Sequence, residues 1–469
     1  MSQPSFPNLI EIAGRVGRRE TSAQEVLAQA IAQAESHQDR YRPFIAITKQ
    51  LARQQAKRVD EQIAQGKQLP LAGVPFAVKD LIDVQGIPTT AGSDAFRQNI
   101  ARADATVVRR LVQAGGVLLG KLNLHECAFG FTGENEVFGN CRNPWNAERI
   151  TGGSSSGSAV AIALGICAMT LGSDAGGSVR LPAAFCGLTG LKPTYGRVSC
   201  AGGMPLSWTM DHIGSVTRTA EETAAVLNLL AGKDAPDEAS AEKPVPDFRE
   251  QLNMPVEGMR IGIPRKWFFD ALQPEVEQAI DRAIEKLVAM GARTVELELP
   301  HMHEVLGAHR QIIFSEAASF YQPYLQDRAE RFTAEIRTNL LSGLFIPAVD
   351  YLKAQRVRRL VCAAWKQVFE QVDCLVTPTV PIVAPKFGQQ TARIAGREIP
   401  LVRACLDLSL PFNFSGHPAI SIPCGFSPAG LPVGLQLVGR LWAESTILRV
   451  AHQYQQATRW HQQVPPPLA

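Results

Sequence analysis

Residues 151–180, TGGSSSGSAVAIALGICAMTLGSDAGGSVR, constrain the fold more than any other stretch. No charged side chain lies between Thr151 and Ser173, and a Gly-Gly-Ser sits near each end. A run this free of charge must be buried in protein or in lipid. Its apolar part, Ala159–Leu171, is 13 residues and is interrupted by Gly165 and Thr170. A membrane-spanning helix needs about 20 predominantly apolar residues, so a buried soluble element is expected. A flexible linker would be polar throughout, whereas GGSSSG opens directly into SAVAIALG. The segment therefore reads as loop, helix, strand (ICAMTLGSD) and loop, with a Gly-Gly-Ser in each loop.

The flanking sequence alternates between strand and helix patterns. LAGVPFAVKD (71–80) reads as a buried strand entering a loop, and TVVRRLVQAGGVLLGKLN (106–123) as helix, Gly stop and strand. GMRIGIP (258–264), PEVEQAIDRAIEKLVAMG (274–291) and RTVELELP (293–300) form a strand–helix–strand unit. AISIPC (419–424) and VGLQLVG (433–439) add strands, and a helix follows over 443–456. Ser22 with Glu25 predicts a capping box at the start of a helix over 20–34. Such alternation predicts an α/β fold with helices on both faces of the sheet. The polar, Pro-rich residues 232–256 read as a surface excursion, because the alternation resumes after them.

Composition narrows the function. The chain has 469 residues and a net charge of +3, and no Lys/Arg run exceeds two, which gives no footprint for nucleic acid or an anionic membrane. Nine cysteines without CxxC spacing suit free thiols in a reducing cytosol. The N-terminal MSQPSFPNLIEIAGR lacks the pattern of an export signal, so a cytoplasmic protein is expected.

The Gly-Gly-Ser loops lack GxxxxGK[ST], which disfavours a phosphate cradle. DAGGS (174–178) suits catalysis better. Two glycines ahead of Ser178 let the backbone turn sharply and aim several N–H groups at one point, as an oxyanion hole requires. A serine nucleophile needs a base. No histidine is near in sequence, but a lysine serves if burial lowers its pKa. Lys79, in the apolar FAVKDLIDV, is the candidate.

VPFAVKDLIDVQGIPTTAGS (74–93), the Gly/Ser stretch and PAAFCGLTGLKPTYGRVS (182–199) together resemble the amidase signature family. HECAFGFTGENEVFGNCRNPW (125–145), VTPTVP (376–381) and PFNFSGHPAISIP (411–423) extend the likeness over most of the chain. The resemblance implies one large α/β domain over 1–469, with a mixed twisted sheet covered by helices. It would have a helical N-terminal region over about 1–65 and a helical substrate-capping region over about 301–365. It also implies an amidase working through a Ser–cis-Ser–Lys triad without metal or cofactor. Motif by motif, Lys79 matches the base, Ser154 the bridging serine after a cis Gly153–Ser154 bond, and Ser178 the nucleophile. Ala175, Gly176, Gly177 and Ser178 would supply the oxyanion-hole N–H groups.

Neighbouring residues have plainer expected roles. Asp174 and Arg180 are expected to hold the loop by hydrogen bonds. Cys127 and Cys186 lack a base and read as buried thiols. His301, His303 and His309 fit no standard metal spacing and read as solvated.

Two functions share this triad. One is a free-standing hydrolase of a small amide, ester, carbamate or urea-like compound. The other is the glutamine-hydrolysing component, the A chain, of a glutamine-dependent tRNA amidotransferase. That component typically carries an Asp five residues before the Pro of P-x-N-x-x-G, where this chain has Leu406, with Asp407 one place off. It also carries an Arg four residues before a helical Gly. If that glycine is Gly343, the place is Asn339. Glutamine would leave its charged ends unpaired there, so the free-standing hydrolase is the expected function. Its expected partner is a small amide, with no nucleic acid and no membrane; a homodimer is left open. Segments 125–131, 301–350 and 400–416 are expected to line the pocket.

Overall fold

The structure, a computed structural model, describes residues 8–466. Thirteen strands are assigned: β1 Phe44–Ile47, β2 Pro75–Lys79, β3 Val117–Leu122, β4 Met169–Asp174, β5 Thr189–Lys192, β6 His212–Thr217, β7 Arg260–Ile263, β8 Arg293–Glu296, β9 Cys374–Pro378, β10 Thr391–Ile394, β11 Arg397–Pro400, β12 Ala419–Phe426 and β13 Pro432–Gly439. Eleven of them form one mixed sheet in the order β1-β3-β2-β4-β6-β5-β12-β13-β9-β7-β8. β10 and β11 make a separate antiparallel hairpin. β3, β2 and β4 run parallel, as do β9, β7 and β8. The strands between these groups are antiparallel.

The central strands are buried along their whole length, as strands covered on both faces must be. Every residue of β2, β3 and β4 is buried. The expected strands are present, and β8 is shorter than RTVELELP suggests. It ends at Glu296, and three of its four residues are exposed, because it is the last strand at its edge. The N-terminal helix Ala23–Tyr41 begins at the expected capping box: Ser22 accepts from Glu25 N, and Glu25 accepts from Ser22 N. The helix Lys49–Ala64 follows, after β1. Residues 232–256 form turns and loops without a helix or strand.

The Gly/Ser stretch folds as read. The helix Ser156–Ala163 is buried at every residue and leads to β4. Two glycines bring it this close to its neighbours. A Cβ on Gly172 of β4 would lie 2.6 Å from Ser155 Oγ, and one on Gly157 would lie 2.3 Å from the Pro43 carbonyl. Side chains at either position would push the helix start off the sheet.

Residues 302–371 form three helices, Met302–Arg328, Ala334–Leu344 and Ala348–Gln371. Trp365 anchors the third. It is fully buried, its ring lies 5.9 Å from that of Phe412, and its Nε1 donates to the Pro300 carbonyl at 2.9 Å. Trp365→Ala is expected to lower stability by about 3–5 kcal/mol, read by urea unfolding of the full chain. A loss under about 1 kcal/mol would mean that this contact does not hold the helical layer.

Candidate active site

β2 and β4 are parallel neighbours, with Val78 opposite Leu171. Lys79 and the pair Ser173–Asp174 therefore emerge at the same end of the sheet. Carboxyl ends of parallel strands are where open α/β sheets place ligands.

Lys79 is fully buried, and its Nζ lies 2.6 Å from Ser154 Oγ and 2.9 Å from Ser173 Oγ. Among the described residues no carboxylate forms an ion pair with it. Burial lowers its pKa to about 7, against the opposing pull of Asp211 and Asp174. A neutral amine at this place can accept the Ser154 proton. Ser173 was not foreseen from the sequence, although it belongs to the quoted stretch.

The Gly153–Ser154 peptide is cis. Gly153 N–H donates to the Phe131 carbonyl at 2.6 Å, and the Ser154 carbonyl accepts from His125 N–H at 3.1 Å. Ser178 lies across the same site, and its carbonyl accepts from Ser155 N–H at 3.1 Å. The backbone thus joins the two serines. Their hydroxyls are not hydrogen-bonded to each other in this state.

Asp174 organises the loop that carries Ser178. Its carboxylate accepts from Gly177 N–H at 2.7 Å, Val179 N–H at 3.1 Å and the Arg180 guanidinium at 3.0 Å. Arg180, also fully buried, reaches on to the Ser409 carbonyl, Gln436 Oε1 and Asn413 Oδ1. Burial alone would raise the Asp174 pKa, but the adjacent guanidinium and the hydrogen bonds outweigh it and hold the carboxyl well below its usual range. Both residues thus serve to hold the loop.

One expected oxyanion donor is corrected. Gly177 N–H is already given to Asp174, so Gly177 supplies the turn, at φ 125°, rather than a free donor. Its N–H is turned inward because the buried carboxylate needs a donor there. The N–H groups of Ala175, Gly176 and Ser178 have no protein partner among the described residues.

His309 is a second correction. It is buried rather than solvated, and its Nε2 donates to the Ala175 carbonyl at 3.0 Å. The helix Met302–Arg328 turns this face toward the cavity, which the spacing of three histidines does not reveal. His301 is half-buried and His303 is exposed. No group of metal-ligating side chains is found among the described residues. Cys127 and Cys186 are buried, and burial pushes both thiols up, so neither is a ready nucleophile.

A cavity of about 600 Å³ opens onto Ser178, Ala175 and Gly176. Its apolar wall includes Phe129, Phe131, Ile313, Phe314, Leu406 and Leu410. All three segments expected to line it contribute, and Leu206 joins them. Leu406 and Asn339 both reach it. So does Asp407, whose carboxylate accepts from Arg403 Nε at 3.0 Å.

The Lys79 environment sets a pH dependence. Below about 7 the ammonium form dominates and has no lone pair; above it the free amine is available. kcat/KM is expected to rise through that limb, and Lys79→Ala is expected to lose at least about 10²-fold. Asp211, lifted to about 7 by burial, shares the window, so the profile is also measured in Asp211→Asn. A profile flat into acid would contradict the assignment.

The Amidase family profile matches residues 25–448. The chain is similar to the A component of the glutamyl-tRNA(Gln) amidotransferase of Moorella thermoacetica, at 40% identity over 97% of each chain. Among solved structures it is similar to one described as a vestigial protein complex that reveals the evolutionary origins of an s-triazine catabolic enzyme. That likeness has 36% identity and a TM-score of 0.92, over 96% of this chain and 98% of the other. It is also similar to a bacterial aryl acylamidase of the amidase signature family, at 27% identity and a TM-score of 0.90 over 97% of each. With its match over nearly the whole length, this chain belongs to the amidase signature family.

Proposed function

We propose that the chain hydrolyses the C–N bond of a small, largely neutral amide through an acyl-enzyme on Ser178. Neutral Lys79 takes the proton of Ser154, which takes that of Ser178. Ser178 Oγ attacks the amide carbonyl, whose electron pair moves onto oxygen. The oxyanion is received by the free N–H groups of Ala175, Gly176 and Ser178. Collapse breaks the C–N bond, and the proton returns through Ser154 to the leaving nitrogen. Water then gives its proton through Ser154 to Lys79 and attacks the acyl carbon. The bond to Ser178 Oγ breaks, the proton returns through Ser154 to that oxygen, and the acid leaves.

One observation carries the choice of substrate. The cavity at Ser178 is mostly apolar and is lined by Leu406 and Asn339. Leu406 stands where the amidotransferase component carries its Asp and, if Gly343 is the matching glycine, Asn339 stands where it carries its Arg. Asp407 does not replace the missing acid, because its charge is already matched by Arg403. The helices Met302–Arg328 and Ala334–Leu344 act as the substrate cap. They contribute Leu306, Ile313, Phe314 and Asn339 to the cavity. A cytoplasmic setting goes with this reading, in keeping with nine cysteines that are all free.

A second reading has a specific observation in its favour. The 40% relative is named as one component of an amidotransferase, and the names of such relatives favour that function over a simple amidase. Under it, the chain would release ammonia from glutamine for a partner protein. The pocket side chains weigh the other way, and they are what the substrate touches.

The test is a hydrolysis screen of the purified chain in plain buffer over neutral amides, anilides, carbamates, ureas and glutamine. At least one neutral compound is expected to be turned over, with glutamine at least about tenfold weaker in kcat/KM. Leu406→Asp is expected to cost about tenfold or more on the neutral substrate. A chain inert across the screen that frees ammonia from glutamine once partner proteins and tRNA are supplied would establish the second reading instead.

A further inference from the structure

The loop 174–178 is held from outside at three successive carbonyls. Asn413 Nδ2 donates to the Asp174 carbonyl at 2.7 Å, His309 Nε2 to that of Ala175 at 3.0 Å, and Ser409 Oγ to that of Gly176 at 2.8 Å. These peptides are trans, so each carbonyl points opposite the N–H of the next residue. Fixing the Asp174 carbonyl therefore aims Ala175 N–H. Fixing that of Ala175 aims Gly176 N–H, and fixing that of Gly176 aims Gly177 N–H at Asp174.

The three holders differ in origin. Ser409 and Asn413 belong to one short segment, which also binds Arg180. His309 alone comes from the helix Met302–Arg328, whose Leu306, Ile313 and Phe314 wall the cavity. The ring sits close: a Cβ on Gly176 would lie 3.7 Å from its Nε2. A carbonyl oxygen only accepts, so Nε2 carries the proton. Burial keeps the ring neutral, with a pKa lowered to about 4, so this tautomer persists near neutral pH.

We infer that His309 is a positioning residue that aims the Gly176 N–H at the developing oxyanion and ties the oxyanion loop to the substrate-contacting helix. Substrate that packs on Phe314 and Ile313 thereby presses on the element that orients the donor. Binding of the remote part of the substrate is converted into transition-state stabilisation rather than only tighter binding. The inference rests on Ser178 as nucleophile.

The test uses phenylmethanesulfonyl fluoride labelling of Ser178 in the full chain, which requires no identified substrate. Protection against labelling is measured with phenylboronic acid, which forms a tetrahedral adduct, and with planar benzamide. His309→Ala is expected to weaken phenylboronic acid protection about tenfold or more and to slow labelling, with benzamide protection changed less than about twofold. His309→Gln, whose amide N–H can reach the same carbonyl, is expected to recover most of the loss. The inference is overturned if phenylboronic acid protection is unchanged in His309→Ala. It is also overturned if both protections fall together, which would make the ring only a wall of the pocket, or if Gln recovers nothing. Failure of the underlying reading looks different: the wild type would then label elsewhere, or Ser178→Ala would label as before.

Discussion

The site depends on one costly arrangement, an amine buried with hydroxyl partners instead of a carboxylate. Taking an ammonium out of water disfavours the charged form unless an anion repays the loss. Lys79 has Ser154 and Ser173 within hydrogen-bond distance, while Asp211 and Asp174 act on it only through space. The other fully buried lysines mark the contrast. Lys121 is paired with Asp80 at 2.7 Å. Lys192 is also pushed well below its usual pKa by burial and by Arg180, but it contacts His212 and the Pro193 carbonyl. A lowered pKa therefore does not by itself mark the base. What distinguishes Lys79 is its contact with the serine that precedes the helix Ser156–Ala163.

The second requirement is a rigid loop opposite that amine. Asp174 and Arg180 form a buried ion pair whose remaining donors and acceptors are met by Gln436, Asn413, Ser409 and the loop backbone. A buried pair is tolerated only with such additional hydrogen bonds. The same bonds consume Gly177 N–H, while the N–H groups of Ala175, Gly176 and Ser178 have no protein partner among the described residues. The loop thus commits the Gly177 N–H to its own architecture.

Much of this was legible in the sequence, for local reasons. The capping box at Ser22, the apolar runs of β2 to β4 and the Gly-Gly-Ser loops are short-range signals, and each predicted its element. Ser154, Lys79 and Ser178 followed from motif resemblance, and the structure brings Lys79 and Ser154 into contact. β1, β5, β6, β9 and the β10–β11 hairpin were not foreseen: short strands carry almost no periodicity of their own, and the equally short β7 and β8 were legible as parts of a strand–helix–strand unit. His309 and the roles of Ser409 and Asn413 were missed because their partners lie 134, 233 and 239 residues away. PFNFSG had pointed to Asn413 as part of a motif without indicating what it binds. Histidine spacing gave no clue to His309, whose burial depends on how the helix Met302–Arg328 faces the sheet.

The neutral lysine is the claim on which the mechanism stands, and it can be observed without a substrate. The measurement is an NMR pH titration of the full chain carrying 13Cε-labelled lysine, with the Lys79 signal assigned by its loss in Lys79→Arg. The account predicts a Lys79 resonance titrating near about 7, well apart from the solvent-exposed lysines. A Lys79 signal that titrates with those lysines, near about 10.4, would contradict it.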